Sequence, residues 1–338
     1  MTKTVSIIVP AYNAEAYIRT VVQSLFCLQG NDDYGIEVIV VDDASTDRTG
    51  TILESLHDHP SVQDGKVSYK VFSFSTNTPG GVACGANYGI EHASGEFVAF
   101  LDADDWIVPD QFLKAVEELD RGGYDFVLNR CWDYHVPSSE RRVHGDQKKL
   151  EKIDIKTGML CDLKAGLLRV SAVPWRKIYR RDFLNSKGLR FVEVDYAYED
   201  NPFHWDVVLS AESIGFTTYH THVYRIGHGS QSVSGGGVKF LRMFDHYDAL
   251  VGVLEKHSKQ KEYEPQLIAW LIDHTLWAGE LLPRHAQPLL FERAGVLLGN
   301  HGLEKIVSEL AQFSDSRWVI DRILATWHQD LQWFMQLK

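Results

Sequence analysis

The chain has 338 residues, 44% of them hydrophobic and 24% charged, with a formal net charge of -12. That length exceeds the common size of one domain, so a large domain with an appendage is expected. The acidic balance argues against a broad basic face for nucleic acid or an anionic membrane, while leaving room for a local phosphate pocket.

The first third alternates strand-like and helix-like segments. "TVSIIVP" is an almost continuous β-branched apolar run, as expected of a strand buried on both faces. "AEAYIRTVVQSLF" follows with Tyr17, Ile18, Val21, Val22 and Leu25 at helical spacing. "IEVIVVDD" predicts a second strand, and "TDRTGTILESLHD" a second helix with Asp47 as an early cap. "VSYKVFSF" is a third strand, "GGVACGANYGIEHA" a glycine-rich start of a helix, and "EFVAFLD" a fourth strand. "PDQFLKAVEELDRG" then reads as a helix and "YDFVLNRCWDY" as a strand. Residues 137–158 are polar and charge-rich and predict a mobile loop or excursion. "WRKIYRRDFLNSKGL" and "YEDNPFHWDVVLSA" predict helices, and the stretch from Glu212 predicts two strands and a Gly/Ser-rich loop. Beyond Gly237 the texture is helical, with Trp270, Trp277, Trp318, Trp327 and Trp333.

Alternation of this kind implies a mostly parallel α/β sheet covered by helices. Three strands run out into "PAYN", "DDAS" and "DADD". Their polar exits share the carboxyl edge of the sheet, where ligands bind in open α/β folds. Asp102, Asp104 and Asp105 repel one another, and a hard divalent cation with oxygen ligands would compensate them. The plain alternative is a solvated turn; Asp42 and Asp43 admit the same two readings. Other nucleotide-site signals are missing: "PAYNAEAY" stands where a Rossmann GxGxxG would be, and there is no GxxxxGK[ST] loop. "DADD" superficially suggests an aspartyl-phosphate phosphatase, but lacks the usual Thr or Val after the second Asp.

The four cysteines form no CxxC pair or zinc-finger spacing, and "MTKTVSIIVP" carries no signal-peptide pattern. Reduced thiols and a cytoplasmic location are therefore expected. No apolar run reaches the ~18 residues of a membrane helix.

"VSIIVPAYNAEAYI", "VIVVDDASTDRT", "GGVACGANYGIEHASGEFVAFLDADD", "WRKIYRRDFL" and "YEDNPFHWDVV" together resemble family 2 glycosyltransferases in order and spacing, from Val5 to about Ser232. The closest texture is that of bacterial enzymes building capsule, exopolysaccharide or lipopolysaccharide. The resemblance implies a GT-A fold over residues 1–237, with a donor-binding half 1–106 and an acceptor half 107–237, followed by a helical region 238–338. It implies that Pro10, Ala11 and Tyr12 hold the uracil of a UDP-sugar, and that Asp43, with Asp42 beside it, accepts from the base. Asp102, Ala103 and Asp104 match the DxD element, with Asp104 and Asp102 holding Mn²⁺ or Mg²⁺ against the donor diphosphate. Asn87 matches a donor-side asparagine, although Ala86 and Ala83 replace the family's Arg and Ser.

Glu199 and Asp200 match the "ED" motif, which makes Asp200 the catalytic base of an inverting transfer. Read without the resemblance, Asp-Asn-Pro favours a helix cap, and the two roles are compatible. Arg225, His228, Ser230 and Ser232 resemble a loop that closes over the diphosphate, with His228 a further metal-ligand candidate beside its reading as an exposed loop histidine. Trp175, Arg176 and Lys177 are candidates for an acceptor groove, whereas His220 and His222 lack a third zinc ligand and read as structural.

The expected activity is transfer of a sugar from a UDP-sugar to a glycan or glycolipid hydroxyl. The rivals are a phosphatase using Asp102 as nucleophile and a non-catalytic glycan- or nucleotide-binding protein. Packing on the catalytic domain or a second subunit is expected of the Trp-rich tail; its low basic content disfavours the alternative, a peripheral membrane contact.

Overall fold

The computed structural model describes residues 2–28, 33–153, 159–193, 199–227, 237–302 and 305. Two compact units emerge, one of residues 1–164 with 170–231 and one of 165–169 with 232–338.

In the first unit the chain runs β1 (Lys3–Ala11), α1 (Ile18–Phe26), β2 (Tyr34–Asp42), α2 (Thr49–Ser55), α3 (Pro60–Gln63) and β3 (Val67–Ser73). It continues through α4 (Val82–His92), β4 (Phe97–Phe100), β5 (Trp106–Ile107), α5 (Pro109–Gly122), β6 (Phe126–His135) and β7 (Glu140–Val143). Then come α6 (Gln147–Glu151), α7 (Leu160–Leu167), β8 (Lys177–Arg180), α8 (Arg181–Ser186), α9 (Asp200–Ser210) and β9 (Ile214–Ile226). The described part of the second unit holds α10 (Met243–Lys256), α11 (Glu264–Leu281) and α12 (Gln287–Gly299). No described helix is long and apolar enough to cross a membrane.

The described strands form one sheet in the order β3-β2-β1-β4-β8-β6-β9-β5, with β7 paired to β6. β3, β2, β1 and β4 are mutually parallel, so the α/β expectation holds there. β8 then runs antiparallel to β4 and β6, β9 is parallel to β6, and β5 is antiparallel to β9. β1 shows why its sequence is apolar throughout. Val5, Ile7 and Val9 enter a cluster with Ile18, Val21, Val22, Leu25 and Phe112. Ile8 faces α4 instead, so closely that a Cβ on Gly89 would lie 2.3 Å from its Cγ2. Each such aliphatic side chain contributes about 1.5–3 kcal/mol on burial.

Three expectations need correction. The polar stretch 137–158 contains β7 and α6, because the β6 ladder continues through Trp132–Val143 and His135–Glu140 pairs; its residues 154–158 lie outside the described part. Within "WRKIYRRDFLNSKGL" the α-helix is confined to α8, Arg181–Ser186: Trp175 and Arg176 lie in a 3₁₀ turn and Lys177–Arg180 is a strand, pairing to β4 and β6 overriding local helix propensity. The two strands expected after Glu212 are one long strand, β9, whose register against β6 shifts near Arg130.

Candidate active site

The register puts the exits of the parallel strands on one edge: Ala11 pairs with Asp42, and Leu101 N–H donates to the Ile8 carbonyl at 2.9 Å. Beyond β4 the chain turns sharply, the Asp105 N–H closing on the Asp102 carbonyl at 3.1 Å. Oxygens of Asp102, Asp104 and Asp105 all lie within 4.8 Å of one another. Asp105 is fully buried and accepts the Arg225 backbone N–H at 2.7 Å, so it braces the turn. Asp102 and Asp104 are half-buried and present their carboxylates, while Ala103 packs on the apolar core.

Withdrawal from water and the neighbouring Asp104 and Asp200 push Asp102 up to about 7. Asp105 is raised for the same first reason, with Asp102 and Asp104 adding to it. An all-oxygen donor set under mutual repulsion suits a hard divalent cation, which fits Mn²⁺ or Mg²⁺.

On the donor side, Asp43 is buried yet well supplied with partners. It accepts from Asn77 Nδ2 at 3.0 Å, the Thr78 N–H at 2.8 Å and the Thr78 hydroxyl at 3.0 Å. A carboxylate has about four lone-pair positions, so room remains for one more donor. Asp42 instead holds the turn after β2, accepting from Ser45 N–H at 3.2 Å. Pro10 and Ala11 end β1, and Tyr12 beyond them is 49% exposed. Asn13, at φ 48°, accepts from Thr46 N–H at 2.8 Å and clamps the two loops together. Asn13, Asn77 and Thr78 were absent from the expected site; "NTPG" after the third strand was the available signal.

Asn87 braces rather than faces this pocket. Its amide donates to the Phe191 carbonyl at 2.9 Å and Glu193 Oε1 at 2.7 Å, and accepts the Phe191 N–H at 2.8 Å. Both N–H groups are thus committed within the protein.

Asp200 is the first residue of α9 and accepts from Asn201 Nδ2 at 2.9 Å; the N-cap is Glu199 and makes no side-chain cap bond, so the expected capping is not formed. The Asp200 field acts on Asp102, which brings the "ED" and DxD elements into one site. Withdrawal from water raises Asp200, and the Lys177 charge opposes that rise. Glu199 is pushed to about 8 by the same withdrawal together with Asp200. Tyr224 on β9 is also raised, by burial and by Asp102, Asp105, Asp104 and Asp133 around it.

Arg225 sits at the end of β9 rather than in a loop. Its Nε donates to the Asp104 carbonyl at 2.6 Å, and its guanidinium lies 4.5 Å from the Tyr17 ring centre and 4.9 Å from that of Trp106. His228, Ser230 and Ser232 lie outside the described residues. The acceptor-groove expectation for Trp175, Arg176 and Lys177 is corrected, since all three are buried. Trp175 stacks on Tyr224 at 5.5 Å, and Arg176 is bidentate to Asp146 at 2.8 Å through each of two N–H groups. His220 stacks on Trp132 at 4.0 Å, and burial lowers His222 to about 3, so both are structural.

Residues 6–186 match the model of the family described as Glycosyl transferase family 2. The chain belongs to that family. This glycosyltransferase is 31% identical over 222 residues to the uncharacterized glycosyltransferase EpsJ of Bacillus subtilis, covering 65% of the chain and 60% of EpsJ. The chain therefore spans less than two thirds of that relative. Among solved structures, residues 1–349 of Staphylococcus aureus TarS superpose with a TM-score of 0.68 at 21% identity, covering 100% of this chain and 90% of the other. The same TarS fragment in complex with UDP-GlcNAc gives 0.56 at 25% identity, covering 91% and 89%. A Pyrobaculum calidifontis mannosyltransferase in complex with GDP-Man and Mn²⁺ gives 0.52 at 18%, covering 100% and 86%. These matches show the GT-A fold for this member of the family, and membership of a transferase family weighs against the phosphatase reading.

Proposed function

We propose a metal-dependent inverting transfer of a sugar from a UDP-sugar to a hydroxyl of a glycan or glycolipid, in the building of a bacterial surface polysaccharide on the cytoplasmic side of the membrane. In this reading the first unit is catalytic and the second is a helical appendage. The observation that carries it is the cluster of Asp102, Asp104 and Asp105 oxygens within 4.8 Å at the exit of β4, with the Asp200 charge acting on Asp102. Asp43, with one lone-pair position to spare, stands on the neighbouring β2 exit.

Asp43 would accept the uracil N3–H while Tyr12 covers a face of the base. Asp104 and Asp102 would hold the Mn²⁺ or Mg²⁺, which when bound offsets the charge of the departing diphosphate. Asp200 takes the proton of the acceptor hydroxyl as its oxygen bonds to the anomeric carbon. The bond from that carbon to the diphosphate oxygen breaks on the opposite face, UDP leaves with the electron pair, and the configuration inverts. Arg225 holds the Asp104 carbonyl and so fixes the turn that carries the metal ligands. Support for a UDP donor comes from TarS, solved with UDP and with UDP-GlcNAc.

The test is UDP release from a panel of UDP-sugars with Mn²⁺ or Mg²⁺, read through slow transfer to water. Metal-dependent release from one donor, lost in Asp104→Ala, is expected. Failure of UDP to bind in calorimetry with metal present would overturn the donor assignment.

A further inference from the structure

The turn that carries the proposed metal ligands is under strain from its own charges. Oxygens of Asp102, Asp104 and Asp105 crowd within 4.8 Å of one another, and carboxylates at that range push apart. Within the turn, the Asp105 N–H opposes this through the Asp102 carbonyl at 3.1 Å. β5, which follows at once, is two residues long and pairs with β9 through Trp106–Val223 and Ile107–His222.

Arg225, near the end of β9, takes hold of the turn at two further points. Its backbone N–H donates to Asp105 Oδ1 at 2.7 Å, and its side-chain Nε to the Asp104 carbonyl at 2.6 Å. The second bond keeps its direction only while the guanidinium is fixed, and a long side chain has much rotamer freedom to lose. Two rings supply that restraint. Arg225 Cζ lies 4.5 Å from the centre of the Tyr17 ring and 4.9 Å from that of Trp106, inside the ~6 Å range of a cation–π contact. Tyr17 immediately precedes α1 and packs on the main apolar core. The Trp106 ring meets Tyr134 of β6 edge-on at 5.4 Å. The guanidinium is thus anchored to α1, β5 and β6 as well as to its own strand.

We propose that Tyr17 and Trp106 form an aromatic clamp on Arg225, and that the three are positioning residues holding the Asp102–Asp105 turn in the arrangement a divalent cation needs. The proposal rests on the reading of Asp102 and Asp104 as metal ligands. It adds the two rings that make Arg225 rigid, and it gives Arg225 a task other than the diphosphate contact its motif suggested.

Mn²⁺ binding in the presence of UDP, read from the electron paramagnetic resonance of the free ion, tests this without turnover. Arg225→Lys keeps the positive charge that a diphosphate would meet but loses the planar Nε–H. It should weaken Mn²⁺ binding about tenfold to a hundredfold. Tyr17→Leu, which removes the ring, should weaken it about threefold to tenfold, and Tyr17→Phe, which keeps the ring, should stay within about twofold of the parent. Parental Mn²⁺ affinity in Arg225→Lys would return Arg225 to the diphosphate and overturn the proposal. Equal losses in the two Tyr17 variants, or none in either, would also sink it, because the ring would then have no part. If Arg225→Lys folds poorly, the Tyr17 pair decides, since Tyr17 is only half-buried and its exchange leaves both Arg225 bonds available. A parent protein that binds no Mn²⁺ beside UDP would defeat the metal reading itself, a result distinct from any difference among the variants.

Discussion

Asp43 illustrates how a buried carboxylate can be both structural and available. Asn77 and Thr78 fix its plane and leave one acceptor position directed by neither. Asp43→Asn should weaken UDP binding in calorimetry by about tenfold to a hundredfold, the loss of a charge-assisted hydrogen bond. Glu199 offers a test of the site's electrostatics through stability. Its carboxyl is raised from 4.5 to about 8 in the folded protein, so the folded chain keeps a proton that the unfolded chain has released. Its favourable contribution is complete below the unfolded value and is lost progressively as pH rises to and through the folded one. Glu199→Gln, neutral at every pH, should therefore raise Tm above pH 8 by on the order of 2–4 °C and flatten its decline between pH 5 and 8. An unchanged slope in thermal melts would rule out Glu199 as its source.

Among the elements, α4 shows how closely the parallel part of the sheet is covered. Gly89 lets the helix rest on Ile8, and Gly85 lets it rest on Pro10, whose Cβ would lie 3.1 Å from an added Cβ. Gly89→Ala should destabilise the protein by about 1–3 kcal/mol in denaturant titration, because β1 is fixed on its other side by α1 and cannot retreat. Gly123 ends α5 at φ 64°, and its substitution by Ala should cost about 1 kcal/mol by a separate route, backbone strain. Asn87 adds a tie of a different kind, joining α4 to the segment that leads toward Glu199.

For the whole molecule, the decisive quantity is uncompensated negative charge at one edge of the sheet. Among the described residues, the Lys177 charge acts on Asp200 and the Arg225 charge on Asp105, while the charges acting on Asp102 are the like charges of Asp104 and Asp200. A divalent cation should therefore stabilise the folded protein, by about 2.7 kcal/mol at a hundredfold excess over its Kd. Thermal melts with Mn²⁺ and with a chelator would measure this, and Asp104→Ala should erase the difference. Equal Tm values in both conditions would contradict the metal assignment.

The amino-acid sequence by itself determined the parallel half of the sheet, β1 to β4. Continuous β-branched runs such as "TVSIIVP" can only be strands covered on both faces, and strands separated by amphipathic helices can only bring their exits to one edge. Asp102 and Asp104 stood out as acids clustered at a strand exit, while Asp43 and Asp200 were singled out by the resemblance to family 2 glycosyltransferases, since their own sequence context read equally as turn and cap residues. Only the tertiary structure decided the rest. "KIYR", within a stretch of helix-forming composition, becomes the strand β8, because pairing to β4 and β6 outweighs a local propensity worth tenths of a kcal/mol per residue. Lys177, by sequence a candidate for an acceptor groove, is thereby buried, its Nζ on the Ala172 and Val173 carbonyls.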